Sequence, residues 1–504
     1  MLLNSVVLTA FLGSLAGAAP AQGPAVTCCD ALSLILQEKV VQLGNKTTEN
    51  EYKNTRYTYW TERSSEVTPS CFVKPSSSED VSATLKILSQ PQYRNVLSCK
   101  FAIRSGGHTP WPAAAINGGV TIDLSNMRKL EVAEDRKSIG VGAGNKWGMV
   151  YSKLEQMDLA VSGGRWGNVG VGGLLTGGGL SFFQGKRGLA CDGILNHEVV
   201  LSNGTIVQAN PKVNTDLYKA LKGGNNNFGI VTRFDLEAFQ QGKIWGGGIL
   251  HAAKDPTTLS WFTNFANSSL TDLDSMVMYS TVPLFGQWMS GGLVTYAKNV
   301  TDPSSFRDFY NTSLFSTASI TTYNQIAQFN AIGTPFGGRA VWATFSFKNN
   351  AAFMRTVIDL AAQESRTMPL FSPGIQLIFQ PLWKAPRAKV LAETGGNSLG
   401  LDDQGDLIIV LCSSGSRRAA DDMTINLAMK GFINKATQKA RDAGVYSSYI
   451  YLNYAAEFQD PIAGYGESNR AQLIAVSEKY DPIQLFQKQV PGGFKLRRAE
   501  GDWV

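Results

Sequence analysis

The chain has 504 residues, 43% hydrophobic and only 17% charged, against roughly 25% charged in a typical soluble protein. That balance excludes a disordered chain, and a formal charge of +6 from 46 basic and 40 acidic residues is too small and dispersed for nucleic-acid binding. Glycine is the outlier at 51 residues, and 19 prolines without a Gly-X-Y period exclude collagen.

Met1 to Ala19 is an apolar run too short to span a bilayer, ending in the small residues Ala16, Ala18 and Ala19. It is expected to be a secretory signal peptide cut near Ala18 or Ala19, although a basic start is missing. No later stretch is long and apolar enough to cross a membrane. Sequons at Asn45, Asn203, Asn267, Asn299 and Asn311 mark glycosylation candidates on the surface of a secreted protein. Of six cysteines, Cys28, Cys29, Cys71 and Cys99 cluster early, where an oxidising compartment allows two disulfides in any of three connectivities. Cys191 and Cys412 read as buried thiols.

Residues Ser76 to Gln90 have the pattern of a helix, with Ser76 and Glu79 at capping-box spacing and Val81, Thr84, Leu85 and Leu88 on one face. Val120, Ile122 and Leu124 then alternate as in a strand, as do Ile139 and Val141. Glu198 to Gln208 predicts a hairpin turning at Asn203-Gly204. Asn214 to Leu221 predicts a capped helix stopped by Gly223-Gly224. Residues from about 245 to 440 mix both patterns with fewer glycine clusters. In the tail, Tyr449 to Asn453 is strand-like, and a helix around Ala471 to Lys479 stops at Asp481-Pro482.

Several familiar chemistries fail on spacing. His197-Glu198 lacks a second histidine four positions on, and Gly185-Lys186 is followed by Arg187 where a P-loop needs Ser or Thr. Gly140 to Gly144 misses the last glycine of a Rossmann turn, and no Gly-X-Ser-X-Gly elbow occurs. What remains is a pair of glycine-rich segments, Phe101 to Pro110 and Ser162 to Leu180. Consecutive glycines let backbone N–H groups converge on an anion such as a diphosphate; the alternative is two crowded turns.

Arg104-Ser-Gly-Gly-His108, the run from Val169 to Gly179, and Gly223-Gly-Asn-Asn-Asn-Phe-Gly-Ile-Val-Thr232 follow in order. Together they resemble the FAD-binding domain of the vanillyl-alcohol oxidase (PCMH-type) flavoproteins. Tyr451-Leu-Asn-Tyr454, Tyr465-Gly466, Lys479-Tyr-Asp-Pro482 and Pro491 to Leu496 look like the tail of its berberine-bridge-like branch, in its secreted fungal form.

The resemblance implies FAD as cofactor, held by Arg104, Ser105, Gly106, Gly107, His108, Val169, Gly170, Gly172, Gly173, Gly178, Gly179, Ile230, Tyr451 and Asn453. It implies one covalent link, at His108, since the cysteine that makes a second link in many relatives is Trp166 here. Val169 aligns with the position that governs oxygen access, and a valine there favours an oxidase over a dehydrogenase. Tyr451 is expected as the catalytic base beside Asn453, on one face of a strand.

The fold expected is α+β. A signal peptide over 1–19 and a lead-in over 20–64 precede a PCMH-type, two-subdomain FAD-binding domain over 65–240. A substrate-binding domain over 241–445 is built on an antiparallel sheet with helices, and 446–497 returns to the FAD domain. The function expected is oxidation of an alcohol or similar carbon of a small molecule by FAD, reoxidised by O2 to H2O2, in a secreted monomer without nucleic-acid, membrane or metal partners. This suits tailoring of a secondary metabolite, with cyclisation a possible accompaniment. An oligosaccharide oxidase and a non-catalytic secreted flavin-binding protein are the alternatives. Trp245, Trp261, Trp288, Trp342 and Trp383 are candidates to stack on substrate rings.

Overall fold

The computed structural model describes residues 27–251, 256–284, 287–370 and 372–497. The leader lies outside the described residues.

Local signals place most elements, with instructive shifts. The first long helix spans Ser78–Leu88, and its cap is one residue later than the sequence spacing predicts. Ser77 accepts from the Asp80 N–H, and the Asp80 carboxylate answers the Ser77 N–H. The same carboxylate binds Lys39 at 2.7 Å, a tertiary contact that favours Asp80 over Glu79 as the capping acid. Leu124 leaves the strand Val120–Asp123 for a 3-10 turn, because Asp123 caps that turn through the Ser125 N–H. The hairpin forms as predicted, Ile194–Val200 pairing antiparallel with Ile206–Ala209, and Gly204 holds φ +80° at its tip. The helix Thr215–Leu221 also forms, but Asn214 sits left-handed and does not cap it; its amide donates instead to the Gln208 carbonyl. Tyr449 to Asn453 is not a strand: Leu452–Tyr454 is a 3-10 turn.

Three larger sheets and a two-stranded ribbon, Leu159–Ala160 with Phe239–Gln240, organise the described residues. The first has the order Val40–Gln42, Cys71–Val73, Val120–Asp123, Phe101–Arg104, with the last three strands parallel. The lead-in thus contributes a strand to it, and the disulfides Cys28–Cys99 and Cys29–Cys71 stitch that segment down. Cys191 and Cys412 are free and buried, as expected. The second sheet is antiparallel, ordered Leu130–Val132, Ser138–Gly142, Ile230–Glu237, Ile194–Val200, Ile206–Ala209.

The third is a nine-stranded antiparallel sheet drawn from Ile244 to Ser447. Its strands alternate, and the alternation decides what each face meets. Val277, Tyr279, Val341, Ala343, Leu377 and Phe379 pack in one core with the helices Ala351–Ser365 and Asp422–Asp442. Met278, Trp342, Gln376 and Ile378, one residue out of phase with them, face the glycine-rich segments across a cavity. The tail returns to that side: Phe101 N–H donates to the Gln489 carbonyl, and Asn226 and Asn227 donate to the Gly492 and Phe494 carbonyls. Helices mixed with largely antiparallel sheets make the α+β class expected.

Candidate active site

The two glycine-rich segments meet backbone to backbone. A Cβ on Gly106 would lie 2.5 Å from the Gly170 Cα, and one on Gly170 would lie 2.4 Å from the Gly106 nitrogen. No larger residue fits at either position without parting the loops. Ser105 ties the contact, its Oγ donating to the Ala143 carbonyl at 2.7 Å and accepting from the Gly172 N–H at 3.1 Å.

Between these loops and the nine-stranded sheet lies a cavity of about 550 Å³. Ser105, Gly106, Gly107, His108, Val169, Gly170, Gly172, Gly173, Ile230, Tyr451 and Asn453 all line it, so residues spread over most of the chain converge as expected. Arg104, Gly178 and Gly179 do not line it. Arg104 is buried behind the loop, donating to the Thr55 carbonyl and Thr58 hydroxyl, ion-paired with Asp123 at 3.5 Å and stacked on Tyr59. It anchors the lead-in. Gly178 and Gly179 hold φ +114° and +82° in the turn behind the wall.

His108 is the most exceptional group in the wall. Both ring nitrogens are buried and make no well-formed hydrogen bond among the described residues, the Asn168 side chain lying beside them without closing one. The ring stacks on Trp60 with centroids 4.4 Å apart. Burial pushes its pKa down to about 4, with the Lys146 charge adding to the effect, so the imidazole is neutral near pH 7.

Tyr451 and Asn453 reach the site by a different route from strand alternation. The 3-10 turn folds both side chains back onto the glycine run. The Leu180 N–H donates to the Tyr451 hydroxyl at 2.8 Å, and the Gly179 N–H donates to Asn453 Oδ1 at 3.3 Å. Asn453 Nδ2 donates in turn to the Gly173 carbonyl at 2.9 Å. Burial holds the Tyr451 phenol well above its ordinary pKa, with Tyr454 adding to the effect.

Other wall residues carried no role in the sequence. Arg165, beside Trp166, donates through Nη2 to Gln380 Oε1 at 2.5 Å and to the Tyr454 hydroxyl at 2.9 Å. Trp60 and Trp342 stand 5.0 Å apart, centroid to centroid, and also line the cavity. Of the tryptophans expected as stacking candidates, only Trp342 reaches it; Trp245 and Trp383 are buried in the core behind the sheet, and Trp261 and Trp288 pack against that core. Arg165 and Tyr454 do sit inside the quoted motifs, which was the available signal. Trp60 had none. Among the described residues no group of His, Cys, Asp or Glu is arranged to hold a metal, and no helix is long and apolar enough to cross a membrane.

A glycine-walled cavity between two small sheets and a large antiparallel sheet defines a PCMH-type flavoprotein fold. Residues 69–210 match the family model described as FAD binding domain. The chain is 34% identical over 482 residues to the FAD-dependent monooxygenase drtC of Aspergillus calidoustus, covering 94% of this chain and 90% of that one. Berberine-bridge-like protein 1 of Physcomitrella patens superposes with a TM-score of 0.75 at 19% identity, covering 94% of this chain and 100% of that one. Xylooligosaccharide oxidase of Myceliophthora thermophila gives 0.75 at 18% identity, covering 94% and 100%. The chain belongs to the FAD-dependent oxidoreductases of this family.

The residues present fit FAD. At Gly173, on the cavity wall, an added Cβ would meet nothing within 4 Å, which leaves an open cradle against bare backbone. His108 offers buried ring nitrogens with no well-formed hydrogen bond among the described residues.

Proposed function

We propose that the chain is a secreted oxidase that takes hydride from a carbon of a small, largely apolar molecule, as in the tailoring of a secondary metabolite. The observation that carries the reading is the buried, neutral imidazole of His108, whose nitrogens close no well-formed hydrogen bond among the described residues, set in the wall of the open glycine cradle. FAD held there through His108 would supply a two-electron acceptor, with O2 as the final oxidant giving H2O2. A neutral imidazole keeps the lone pair that such a single link needs. Trp166 stands where a second link would form and instead walls the cavity.

The remaining residues position and enclose. Gly106, Gly107, Gly170, Gly172 and Gly173 would present backbone to the cofactor, and Ile230 lines the same cavity. Val169 leaves room for O2. Trp60, Trp342, Met278 and Ile378 surround the substrate with apolar surface, which favours a planar organic molecule over an oligosaccharide. Tyr451 and Asn453 hold the Gly177–Leu180 turn in place. Burial holds this phenol protonated, an effect the accepted Leu180 N–H opposes without reversing, so we assign Tyr451 a positioning role in place of the expected base. Residues 65–240 with 446–497 form the FAD-binding part, and 241–445 supplies the substrate wall.

Secretion is supported by the disulfides and by the sequons: Asn45, Asn203, Asn299 and Asn311 are exposed, and Asn267 is half-buried. The test is an anaerobic screen of conjugated alcohols and acids for bleaching of the flavin, followed by peroxide measurement in air. No bleaching by any candidate would support the non-catalytic flavin-binding alternative. The fungal relative is named a monooxygenase, a second reading in which one oxygen atom enters the product. Turnover under 18O2 separates the two: the oxidase reading requires the label in peroxide and none in product.

A further inference from the structure

Arg165 is 5% exposed and lies in the cavity wall, yet it faces no carboxylate among the described residues. A guanidinium carries five N–H donors and keeps its charge inside a protein. Nη2 spends its two on Gln380 Oε1 and the Tyr454 hydroxyl, while Nε and Nη1 donate to no protein group among the described residues. Two other buried guanidiniums are neutralised, Arg104 facing Asp123 at 3.5 Å and Arg339 holding Glu66 and Asp422 at 2.5 and 2.7 Å, while Arg387, away from the cavity, is held by the Leu401 and Gln404 carbonyls. A buried cation without an anion is costly, so an unpaired one on a cavity wall is a place for a charge to arrive.

Gln380 adds to the demand. Because Arg165 can only donate, the Gln380 end facing it is the amide oxygen, and the free end is Nε2. That Nε2 is buried with no acceptor. Gln380 itself stands behind the wall, on the strand face that presents Gln376 and Ile378 to the cavity. The unspent Arg165 donors on the wall, held in place by Gln380 behind it, call for an acceptor-rich ligand. A carboxylate offers two oxygens and about four lone-pair sites, whereas an ionised phenol offers a single oxygen. Trp60 and Trp342, 5.0 Å apart in the same wall, favour a flat molecule.

The geometry points to Arg165, oriented by Gln380, as a carboxylate subsite, so that the substrate is a planar conjugated acid held by its carboxylate. This rests on the reading of the cavity as the place where substrate meets FAD. The subsite fixes orientation: the carboxylate sits at Arg165, and the rest of the molecule extends between the tryptophans and the glycine cradle.

The test is an equilibrium titration of the flavin-loaded enzyme, following the flavin absorbance with benzoate, with its neutral isostere benzamide, and with 4-nitrophenolate. Wild type is expected to bind benzoate at least tenfold tighter than benzamide and tighter than 4-nitrophenolate. Arg165→Gln is expected to bring benzoate and benzamide level while its flavin content and Tm stay unchanged. Should that variant fail to fold, Arg165→Lys decides: it keeps the charge but loses the donor fork, and benzoate alone should weaken at least threefold. Equal affinity for benzoate and benzamide in wild type, or a preference that survives substitution of Arg165, overturns the subsite. Tighter binding of 4-nitrophenolate than benzoate overturns the carboxylate in favour of a phenolate ligand. A chain that carries no flavin refutes the proposed function, whereas a flavin-loaded chain indifferent to benzoate refutes only the subsite.

Discussion

Alanine at Gly170 and alanine at Gly173 should fail in opposite ways, although the two glycines are three residues apart on one wall. At Gly170 the new methyl would sit 2.4 Å from the Gly106 nitrogen and 2.6 Å from its Cα, where ordinary contact begins near 3.4 Å. Backbone stands on both sides, so the loops must part by about an ångström. Overpacking of that kind costs about 1–3 kcal/mol, whether or not FAD is present. At Gly173 the methyl meets nothing within 4 Å, and the residue lies inside the short helix Val171–Thr176. Alanine there should leave the bare protein unharmed, or steady it by up to about 1 kcal/mol. Its methyl would instead occupy the space assigned to the cofactor. Urea unfolding of both variants in a His108→Ala background, stripped of flavin, measures the first effect. Flavin absorbance per chain, with His108 intact, measures the second. Gly170→Ala should lose stability in the stripped protein, and Gly173→Ala should keep its stability but lose most of its flavin. Full flavin loading in Gly173→Ala would refute the cradle, however well the protein folds.

Other consequences are as direct. Acid precipitation should leave wild-type protein yellow and release all flavin from His108→Ala; release from wild type would refute the covalent link. Tyr451→Phe leaves the Leu180 N–H without its acceptor, so it should cost about 1–3 kcal/mol in denaturant while flavin reduction slows only slightly. A loss of a hundredfold or more, read by anaerobic stopped flow, would instead make Tyr451 the base. His197 is fully buried, and burial, helped by the Lys222 charge, pulls its pKa from 6.5 to about 3. The unfolded chain therefore binds the extra proton first as pH falls, so this contribution to stability is intact above pH 6.5 and is lost toward pH 3. The loss is about 1.4 kcal/mol per pH unit, and His197→Phe should flatten it in urea titrations across that window; an unchanged slope would refute it. Cys29–Cys71 closes a separation of 42 residues, for which chain entropy gives about 4 kcal/mol, so Cys29→Ser with Cys71→Ser should unfold at markedly lower denaturant.

What could be read along the chain was whatever depends on neighbours in sequence. The hairpin at Asn203-Gly204 is a local matter of turn backbone, and it stands where the dipeptide put it. The glycine motifs carried the cofactor because close backbone approach admits no other residue, as Gly106 against Gly170 shows. Their converging partners Tyr451 and Asn453 were legible too, but the strand invoked to bring them together was not there: a 3-10 turn does the work, since backbone N–H groups of Gly179 and Leu180 supply the bonds that a strand neighbour would have made. Tertiary structure alone decided the rest. Asp80 displaced Glu79 as the capping acid because Lys39 arrives from another segment. Arg104 turned from cofactor ligand to anchor because Asp123 and Tyr59 meet it behind the loop. Arg165, an ordinary arginine in the sequence, became the unpaired charge of the site only when the sheet placed Gln380 against it and no carboxylate followed. Burial and charge balance are properties of what surrounds a residue in space, and one dimension does not contain them.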